Sequence, residues 1–220
     1  MPTENRLNKF KRVAAQRQSG FTVVIEDVFD PHNLGAIARS CDAFGIQEIN
    51  VIFEKQPAFN PKEVGKNSST ATNKWLNYRI HHDTETALRT LKGEGWRLVA
   101  TVLDPGTPPI YTADMCQPKI ALLFGNEKTG LSPKAISLAD QLVTIPMVGI
   151  AQSMNVSVSA ALAIYEVTAQ RRARCPELLR ATRDEAERTL AYLLEMHEHL
   201  GRRNKRLRVE RAKKRLEKST

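Results

Sequence analysis

The chain has 220 residues, of which 41% are hydrophobic, and its formal net charge is +9. No run of eighteen apolar residues is present and the polar start lacks the apolar segment of a secretory signal, so neither a membrane span nor secretion is predicted. Its cysteines (Cys41, Cys116 and Cys175) are odd in number and widely spaced, which predicts free thiols, no disulfide, no metal site and a reducing cytoplasm.

Strands and helices are predicted to alternate between residues 20 and 172. β-Branched and apolar runs indicate buried strands, and apolar residues at helical spacing indicate the helices between them. The predicted elements are a basic helix at 4–18, a strand at 22–25, a helix at 33–44, a strand at 48–53, a helix at 84–91, strands at 97–102 and 119–124, a helix from 132, a strand at 142–145 and a helix at 155–172. Residues 54–80 have no clear period, and His81–His82 is interpreted as a surface turn. The alternation favours an α/β fold built on a parallel sheet.

The ends of the chain hold all of its excess positive charge. Residues 1–20 have a net charge of +4 and residues 171–220 have +8, whereas residues 21–170 have −3. We therefore predict an N-terminal basic helix over 1–20, a core domain over 21–175 and a basic helical extension over 176–220. An anionic polymer as partner explains this distribution. The alternative is that the ends are solvated helices that only aid solubility.

Two polar loops that contain glycine each follow a predicted strand. The first, GNEKTGLS, covers residues 125–132, and the second, PMVGIAQSMNVS, covers residues 146–157. Parallel sheets bind ligands at the carboxyl ends of their strands, so both loops are predicted to form one site. The first loop has the glycine spacing of a phosphate-binding P-loop, but Leu131 and Ser132 stand where that motif requires Lys and Ser or Thr. This excludes a nucleoside triphosphatase, and the lack of a G-x-G-x-x-G after the first strand disfavours an ordinary dinucleotide-binding fold.

A third segment, residues 30–39, lies at another junction of strand and helix. Asn33 either caps the helix or serves the site, and Arg39 is either an ordinary surface arginine or a functional one. Arg39 is predicted to lie opposite the apolar face of its helix, where it can bind a phosphate bidentately. Polar residues that begin the last core helix are likewise either caps or ligand contacts. They are Ser153, Asn155, Ser157 and Ser159.

Together the three segments resemble the motifs of the SpoU branch of the SPOUT RNA methyltransferases. Residues 33–39 are similar to its first motif, Asn-x-Gly-Ala-x-x-Arg, residues 123–131 to its second and residues 145–157 to its third, in the same order. The resemblance covers about residues 20–170. Basic helices at both ends give the whole chain a layout similar to the TrmH group of that branch, which methylates the 2′-hydroxyl of guanosine-18 in tRNA.

The resemblance implies an α/β parallel-sheet SPOUT domain with a deep C-terminal trefoil knot, in which residues 120–165 thread through a loop. It also implies a homodimer, tRNA as the partner and S-adenosylmethionine as the methyl donor, with no metal. Cofactor contacts, largely through backbone groups, are expected at seven positions. They are Thr101, Leu123, Gly125, Asn126, Ile145, Ser153 and Met154.

The same resemblance implies roles for the polar residues of the motifs. Arg39 is expected to contact the neighbouring RNA phosphate and to help the ribose 2′-hydroxyl, a weak acid, lose its proton. Asn33 would orient the ribose or Arg39, while Glu127, Ser153 and Asn155 would hold the arginine and the ligand-binding loops. No covalent nucleophile is expected, because the cofactor carries an activated methyl group. RNA contacts are expected at Arg12, Lys128, Arg202, Arg203, Lys205 and Arg206.

Two other functions stay open at this level. A methyltransferase that acts on ribosomal RNA, or on another tRNA position, would share these motifs. Such ribosomal enzymes often carry an N-terminal RNA-binding domain, for which the twenty residues before Phe21 are too few. The second alternative is a non-catalytic RNA-binding protein, although Asn33, Arg39, Glu127 and Asn155 are all present.

Overall fold

A six-stranded parallel sheet with helices on both faces forms the centre of the protein. The computed structural model describes residues 2–64 and 72–216, with side chains described as far as residue 203. The strands are β1 (Phe21–Glu26), β2 (Glu48–Ile52), β3 (Asn77–His81), β4 (Arg97–Thr101), β5 (Ile120–Phe124) and β6 (Gln141–Val143). The α-helices are α1 (Glu4–Ala15), α2 (Pro31–Ala43), α3 (Thr84–Gly93), α4 (Pro133–Leu138), α5 (Val156–Arg174) and α6 (Arg183–Leu216).

The strand order is β3-β2-β1-β5-β4-β6, and every pairing is parallel. β1 lies near the centre, where Val24 stands opposite Asn50 of β2 and Leu123 of β5. All six residues of β1 are buried, as expected for a strand of a parallel sheet that is covered on both faces. The predicted α/β class is therefore confirmed.

Each face of the sheet packs against its own pair of helices. Ile37 of α2 and Ile164 of α5 join one core cluster with Val23 of β1. Leu88 of α3 joins the opposite cluster with Val24 of β1. Burying a side chain of this size contributes about 1.5–3 kcal/mol to the stability of the fold. Because successive β1 residues point to opposite faces, the central strand packs against both helix layers.

Two local predictions in the first half of the chain need correction. α2 begins at Pro31 and is capped by Asp30, whose side chain accepts from the His32 N–H at 2.8 Å, so Asn33 lies inside the first turn. His81 does not lie in a turn, since it ends β3 and its Nε2 is 2.9 Å from Oδ1 of Asn50. Partial burial lowers the pKa of His81. β3 was missed because it has only five residues, all of them half-buried or exposed, and the alternation of Tyr78 and Ile80 with polar residues is too short to stand out from the polar segment before it.

A disulfide joins Cys116 to Cys175, so the predicted absence of disulfides is wrong. The two cysteines are 59 positions apart in sequence, yet their Cα atoms are 6.0 Å apart. The sequence spacing of the two cysteines could not predict that they are close. They meet because the end of α5, where Cys175 lies, packs near the segment before β5, which contains Cys116. Cys41 is a free thiol as predicted, and burial raises its pKa.

The chain divides into two compact units. One comprises residues 16–181 and contains the sheet, and the other comprises residues 1–15 and 182–220. In the second unit α1 packs against α6, and the rings of Phe10 and His197 meet edge to face with centroids 5.9 Å apart. The boundaries drawn from the sequence stay a prediction. Among the helices of the described residues, none combines the length and hydropathy that crossing a membrane requires.

Candidate active site

The loop after β5 is a tight turn that only glycine permits. Asn126 and Gly130 exchange two backbone hydrogen bonds of 3.0 and 2.9 Å, and Gly130 has a φ of +69°. A Cβ atom on Gly125 would overlap the backbone of Gly130 and Leu131. The Asn126 side chain donates to the Asp27 carbonyl at 2.6 Å and accepts from the Lys128 N–H at 2.8 Å. The loop is thereby tied to the residue that follows β1.

Hydrogen bonds connect the three predicted motifs through Glu127. Its carboxylate accepts from the Asn33 side chain at 2.8 Å, and from the backbone N–H groups of Phe29 at 2.9 Å and Asp30 at 3.2 Å. The side-chain Oδ1 of Asn33 in turn accepts from the Asn155 side chain at 3.0 Å. Because Asp30 caps α2, the Asn33 side chain is available to bridge the other two motifs.

The Glu127 carboxylate is held in its charged form. Burial raises its pKa, but the hydrogen bonds from Asn33 and from the Phe29 and Asp30 backbone outweigh burial, and the pKa is lowered overall. Several donors that converge on one carboxylate favour the ionised state in this way. The site therefore contains a fixed negative charge at neutral pH.

The start of α5 positions the third motif. Asn155 is the N-cap of the helix, and its Oδ1 accepts from the Ser157 N–H at 2.7 Å and from the Ser157 hydroxyl at 2.6 Å. A side chain that caps a helix in this way has a restricted rotamer. Asn155 consequently presents its amide group to Asn33 from a defined position.

A cavity of about 330 Å³ lies at the carboxyl ends of β4 and β5, beside this network. Six of the seven predicted cofactor contacts line it: Thr101, Gly125, Asn126, Ile145, Ser153 and Met154. Leu123 does not line it, since the residue is buried in β5, and its carbonyl accepts from the Thr101 hydroxyl at 2.9 Å. Glu127 and Lys128 also border the cavity, whose walls combine apolar side chains with a few polar groups, as small-molecule sites do.

Arg39 is exposed on α2, as its predicted position opposite the apolar face requires. Among the described residues, none forms a hydrogen bond or an ion pair with it. Among the described residues, no hydrogen bond or ion pair joins Glu127, Ser153 or Asn155 to this arginine. Glu127 and Asn155 bind Asn33 instead, and Ser153 is an exposed residue of the cavity wall.

Comparison with known proteins identifies the family. Residues 20–165 match the SpoU rRNA Methylase family. The chain belongs to the SpoU methylase family. Over 171 residues it is 40% identical to the tRNA (guanosine(18)-2′-O)-methyltransferase of Thermus thermophilus, an alignment that covers 77% of this chain and 84% of that relative.

Solved structures of SpoU enzymes show the same fold. The TrmH/SpoU tRNA-modifying enzyme of A. aeolicus superposes with a TM-score of 0.74 at 29% identity, over 87% of this chain and 96% of that one. The SpoU methyltransferase AviRb from Streptomyces viridochromogenes, in complex with AdoMet, superposes with a TM-score of 0.63 at 30% identity, over 71% of this chain and 60% of that one.

The predicted RNA contacts of this SpoU protein are distributed over both units. Lys128 is exposed in the core unit, whereas Arg12 on α1 and Arg202 on α6 are exposed in the terminal unit. Arg202 lies 3.4 Å from Glu198, one turn earlier on the same helix. Arg203 is also exposed on α6, and the side chains of Lys205 and Arg206 lie outside the described residues.

Sequence reasoning missed several acids that shape the site of this SpoU domain. Glu26 is buried at the end of β1 and accepts from the Ser132 N–H and hydroxyl, both at 2.7 Å. Asp27 has a φ of 52°, and its Oδ1 accepts the backbone N–H groups of residues 54–56 at 2.8–3.1 Å. The sequence signal for these two residues was a pair of acids at the end of a buried strand. A carboxylate buried there needs hydrogen-bond donors around it.

Proposed function

We propose that this protein transfers a methyl group to a ribose 2′-hydroxyl of tRNA, and that guanosine-18 is its target. The observation that carries the proposal is the hydrogen-bonded chain from Glu127 through Asn33 to Asn155, beside a cavity at the ends of β4 and β5. It joins all three motifs in a chain that is 40% identical to a relative named as a tRNA guanosine-18 2′-O-methyltransferase.

The cavity fits S-adenosylmethionine in size and in the character of its walls. Its volume of about 330 Å³ lies within the range of small-molecule sites, about 300–1,000 Å³. The turn at Gly125 and Gly130 exposes backbone rather than side chains, which suits recognition through N–H and carbonyl groups. Thr101, Ile145 and Met154 would hold the ligand from the opposite side. When bound, the cofactor supplies a methyl group that its sulfonium has already activated.

The residues of the chain must then prepare the hydroxyl. Arg39 would bind the RNA phosphate next to the target ribose, because a guanidinium offers parallel donors to phosphate oxygens. Its positive charge would also stabilise the oxygen as the hydroxyl proton passes to solvent water and the oxygen takes the methyl group. Asn33, fixed by Glu127 and Asn155, would orient the ribose. Correct placement of the hydroxyl against the methyl group supplies the remaining rate advantage.

A trefoil knot is part of the proposal. Within the described sheet β6 pairs with β4 alone, at the edge, yet α5, which follows it, packs with α2 on the core of the central strand β1. The chain must therefore return across β4 and β5 after leaving the edge. This path supports the threading of residues 120–165 that the family resemblance implies.

A homodimer is supported by an exposed apolar stripe on α5. Val158, Leu162 and Tyr165 are spaced by four and three positions, so they share one side of the helix, and all three are exposed. Exposed apolar surface of this kind is typical of interaction sites. Covering the stripe with the same surface of a second copy would bury it in a two-fold interface.

The basic ends would supply affinity for the tRNA backbone. The terminal unit contains α1 and the long α6, and residues 202–218 hold ten Lys and Arg and two acids. Neutralised phosphates release counterions, so binding through these residues should weaken steeply with salt. A tRNA substrate supports a cytoplasmic location, although the Cys116–Cys175 disulfide leaves only Cys41 of the three free thiols from which the sequence predicted it.

The decisive experiment uses unmodified bulk tRNA and S-adenosylmethionine with a labelled methyl group. We expect label on the ribose of guanosine-18 after nuclease mapping. Label found only in ribosomal RNA would contradict the tRNA assignment.

A second experiment measures cofactor binding by isothermal titration with S-adenosylmethionine. We expect heat with the wild type and none with Gly125→Val, because the valine side chain has no space at that position. Absence of heat with the wild type would instead favour a non-catalytic RNA-binding protein.

A further inference from the structure

An exposed aromatic ring stands next to the Glu127 network without a role in the core. Phe29 keeps 55% of its surface exposed, and it lies between β1 and α2. Its backbone is fixed, because the N–H groups of Phe29 and Asp30 both donate to Glu127. The Glu127 carboxylate therefore fixes both the backbone that carries the Phe29 ring and the side chain of Asn33.

A cation accompanies this ring. The Lys128 ammonium lies 4.3 Å from the centre of the Phe29 ring, within the range of a cation–π contact. Lys128 is also a residue of the cavity wall, so the pair stands at the rim of the cavity. An aromatic face beside a lysine matches the chemistry of a nucleotide, which offers a flat base and a negative phosphate.

The cavity itself offers no ring for such a base. Among the described residues that line it, Phe124 is the only aromatic one, and it is 1% exposed. RNA-binding proteins commonly hold unpaired bases by stacking them on aromatic side chains. A nucleotide that presents its ribose to the cavity needs a surface for its base outside the cavity. The Phe29 ring is an exposed aromatic surface whose backbone belongs to the Glu127 network.

We propose that Phe29, with Lys128 beside it, is a stacking surface for an RNA base next to the methylated ribose. The inference rests on the proposed function and extends it to the recognition of the nucleotide. Phe29 would act in binding rather than in the chemical step, so its loss should raise the KM for tRNA more than it lowers kcat.

The test compares four Phe29 variants of the 220-residue protein. Phe29→Ala removes the ring, Phe29→Leu keeps apolar bulk without an aromatic face, and Phe29→Tyr and Phe29→Trp keep the face. Tyr111→Ala is the matched control, because Tyr111 is an aromatic residue of the core unit that is 61% exposed and lies outside the cavity wall. The measurements are KM and kcat with tRNA, the tRNA dissociation constant, the S-adenosylmethionine dissociation constant and the sedimentation coefficient.

We expect Phe29→Ala and Phe29→Leu to weaken tRNA binding and kcat/KM about tenfold, as loss of one stacked base does. Tyr and Trp variants should stay within about threefold of the wild type, and cofactor affinity should not change. Wild-type tRNA binding in Phe29→Ala, or in Phe29→Leu, would overturn the inference. A changed sedimentation coefficient in Phe29→Ala would also overturn it, by assigning the ring to a contact between copies. A wild type that binds tRNA but transfers no methyl group would reject the proposed function instead.

Discussion

The core unit and the terminal unit differ in how their charged residues are used. In the core, the buried and half-buried acids have defined hydrogen-bond partners. Glu127 accepts from three N–H donors, and Glu26 accepts from Ser132 and Thr84. In the terminal unit, Arg202 pairs with Glu198, one turn earlier on its own helix, at 3.4 Å. The core unit, residues 16–181, has a net charge of +1, whereas the terminal unit, residues 1–15 and 182–220, has +8. Specific geometry is thus concentrated in one unit and unspecific charge in the other, which suggests chemistry in the core and affinity at the ends.

Arg39 tests the catalytic side of this contrast with the largest effect. Arg39→Ala should lower methyl transfer by about 1,000-fold or more, the scale of a lost group in proton transfer. Cofactor binding and the free energy of unfolding should stay near wild type, because no described residue pairs with Arg39. Arg89→Ala is the control, since Arg89 is an exposed helical arginine of the same unit. Wild-type turnover in Arg39→Ala would refute the assignment.

The disulfide tests whether the core is stabilised independently of the ends. Replacing Cys116 and Cys175 by serine should lower the free energy of unfolding by about 2–4 kcal/mol, since the bond closes a long loop of the chain. Urea unfolding with and without a thiol reductant measures this effect. The wild type should respond to the reductant, and the double variant should not. An equal response of both proteins would show that the reductant does not act through this disulfide, since Cys41 is the one cysteine left in the double variant.

The tail tests the affinity side. Replacing Arg202, Arg203, Lys205 and Arg206 by glutamine removes four charges from α6. The plot of log affinity for tRNA against log salt should become less steep by about 3–4, which corresponds to roughly a hundredfold between 50 and 200 mM salt if every charge contacts a phosphate. The kcat at saturating tRNA should not change. Arg183→Gln, on the same helix, is the single-charge control, and an unchanged slope in the fourfold variant would make the tail a solvated helix.

Replacing Glu127 should have the smallest effect of these four changes, and the effect on the free energy of unfolding should depend on pH. Because its pKa in the folded protein is lowered, its ionised form stabilises the fold above the ordinary glutamate value of 4.5, and this contribution is lost as the pH falls through the lowered pKa. Glu127→Gln should cost about 1–2 kcal/mol at pH 7 and reduce the loss of stability in acid. Urea unfolding at pH 3 to 7 measures both. Glu85→Gln, in an exposed ion pair, should change stability by less than about 0.5 kcal/mol.

Most of the fold was predictable because apolar periodicity reports burial directly. The run Thr22–Ile25 and the glycine at position 45 identified β1 and the end of α2. β3 was not predicted, since this edge strand has only two apolar positions, Tyr78 and Ile80, and none of its residues is fully buried. For the site, the family resemblance named six residues of the cavity wall. The partners it implied for Arg39 form no hydrogen bond or ion pair with it among the described residues, because a helical position says which way a side chain points and not what it meets.

The α/β class, the three motif segments and the uneven distribution of charge can all be read from the amino-acid sequence. Each of these follows from local composition, from strand and helix periods, or from glycine placed where a turn needs it. Tertiary structure alone decided that Asn33 joins Glu127 to Asn155 and that Cys116 meets Cys175. These contacts join residues up to 122 positions apart in the chain, and only the packing of α2 and α5 on the central strands brings them within bonding distance.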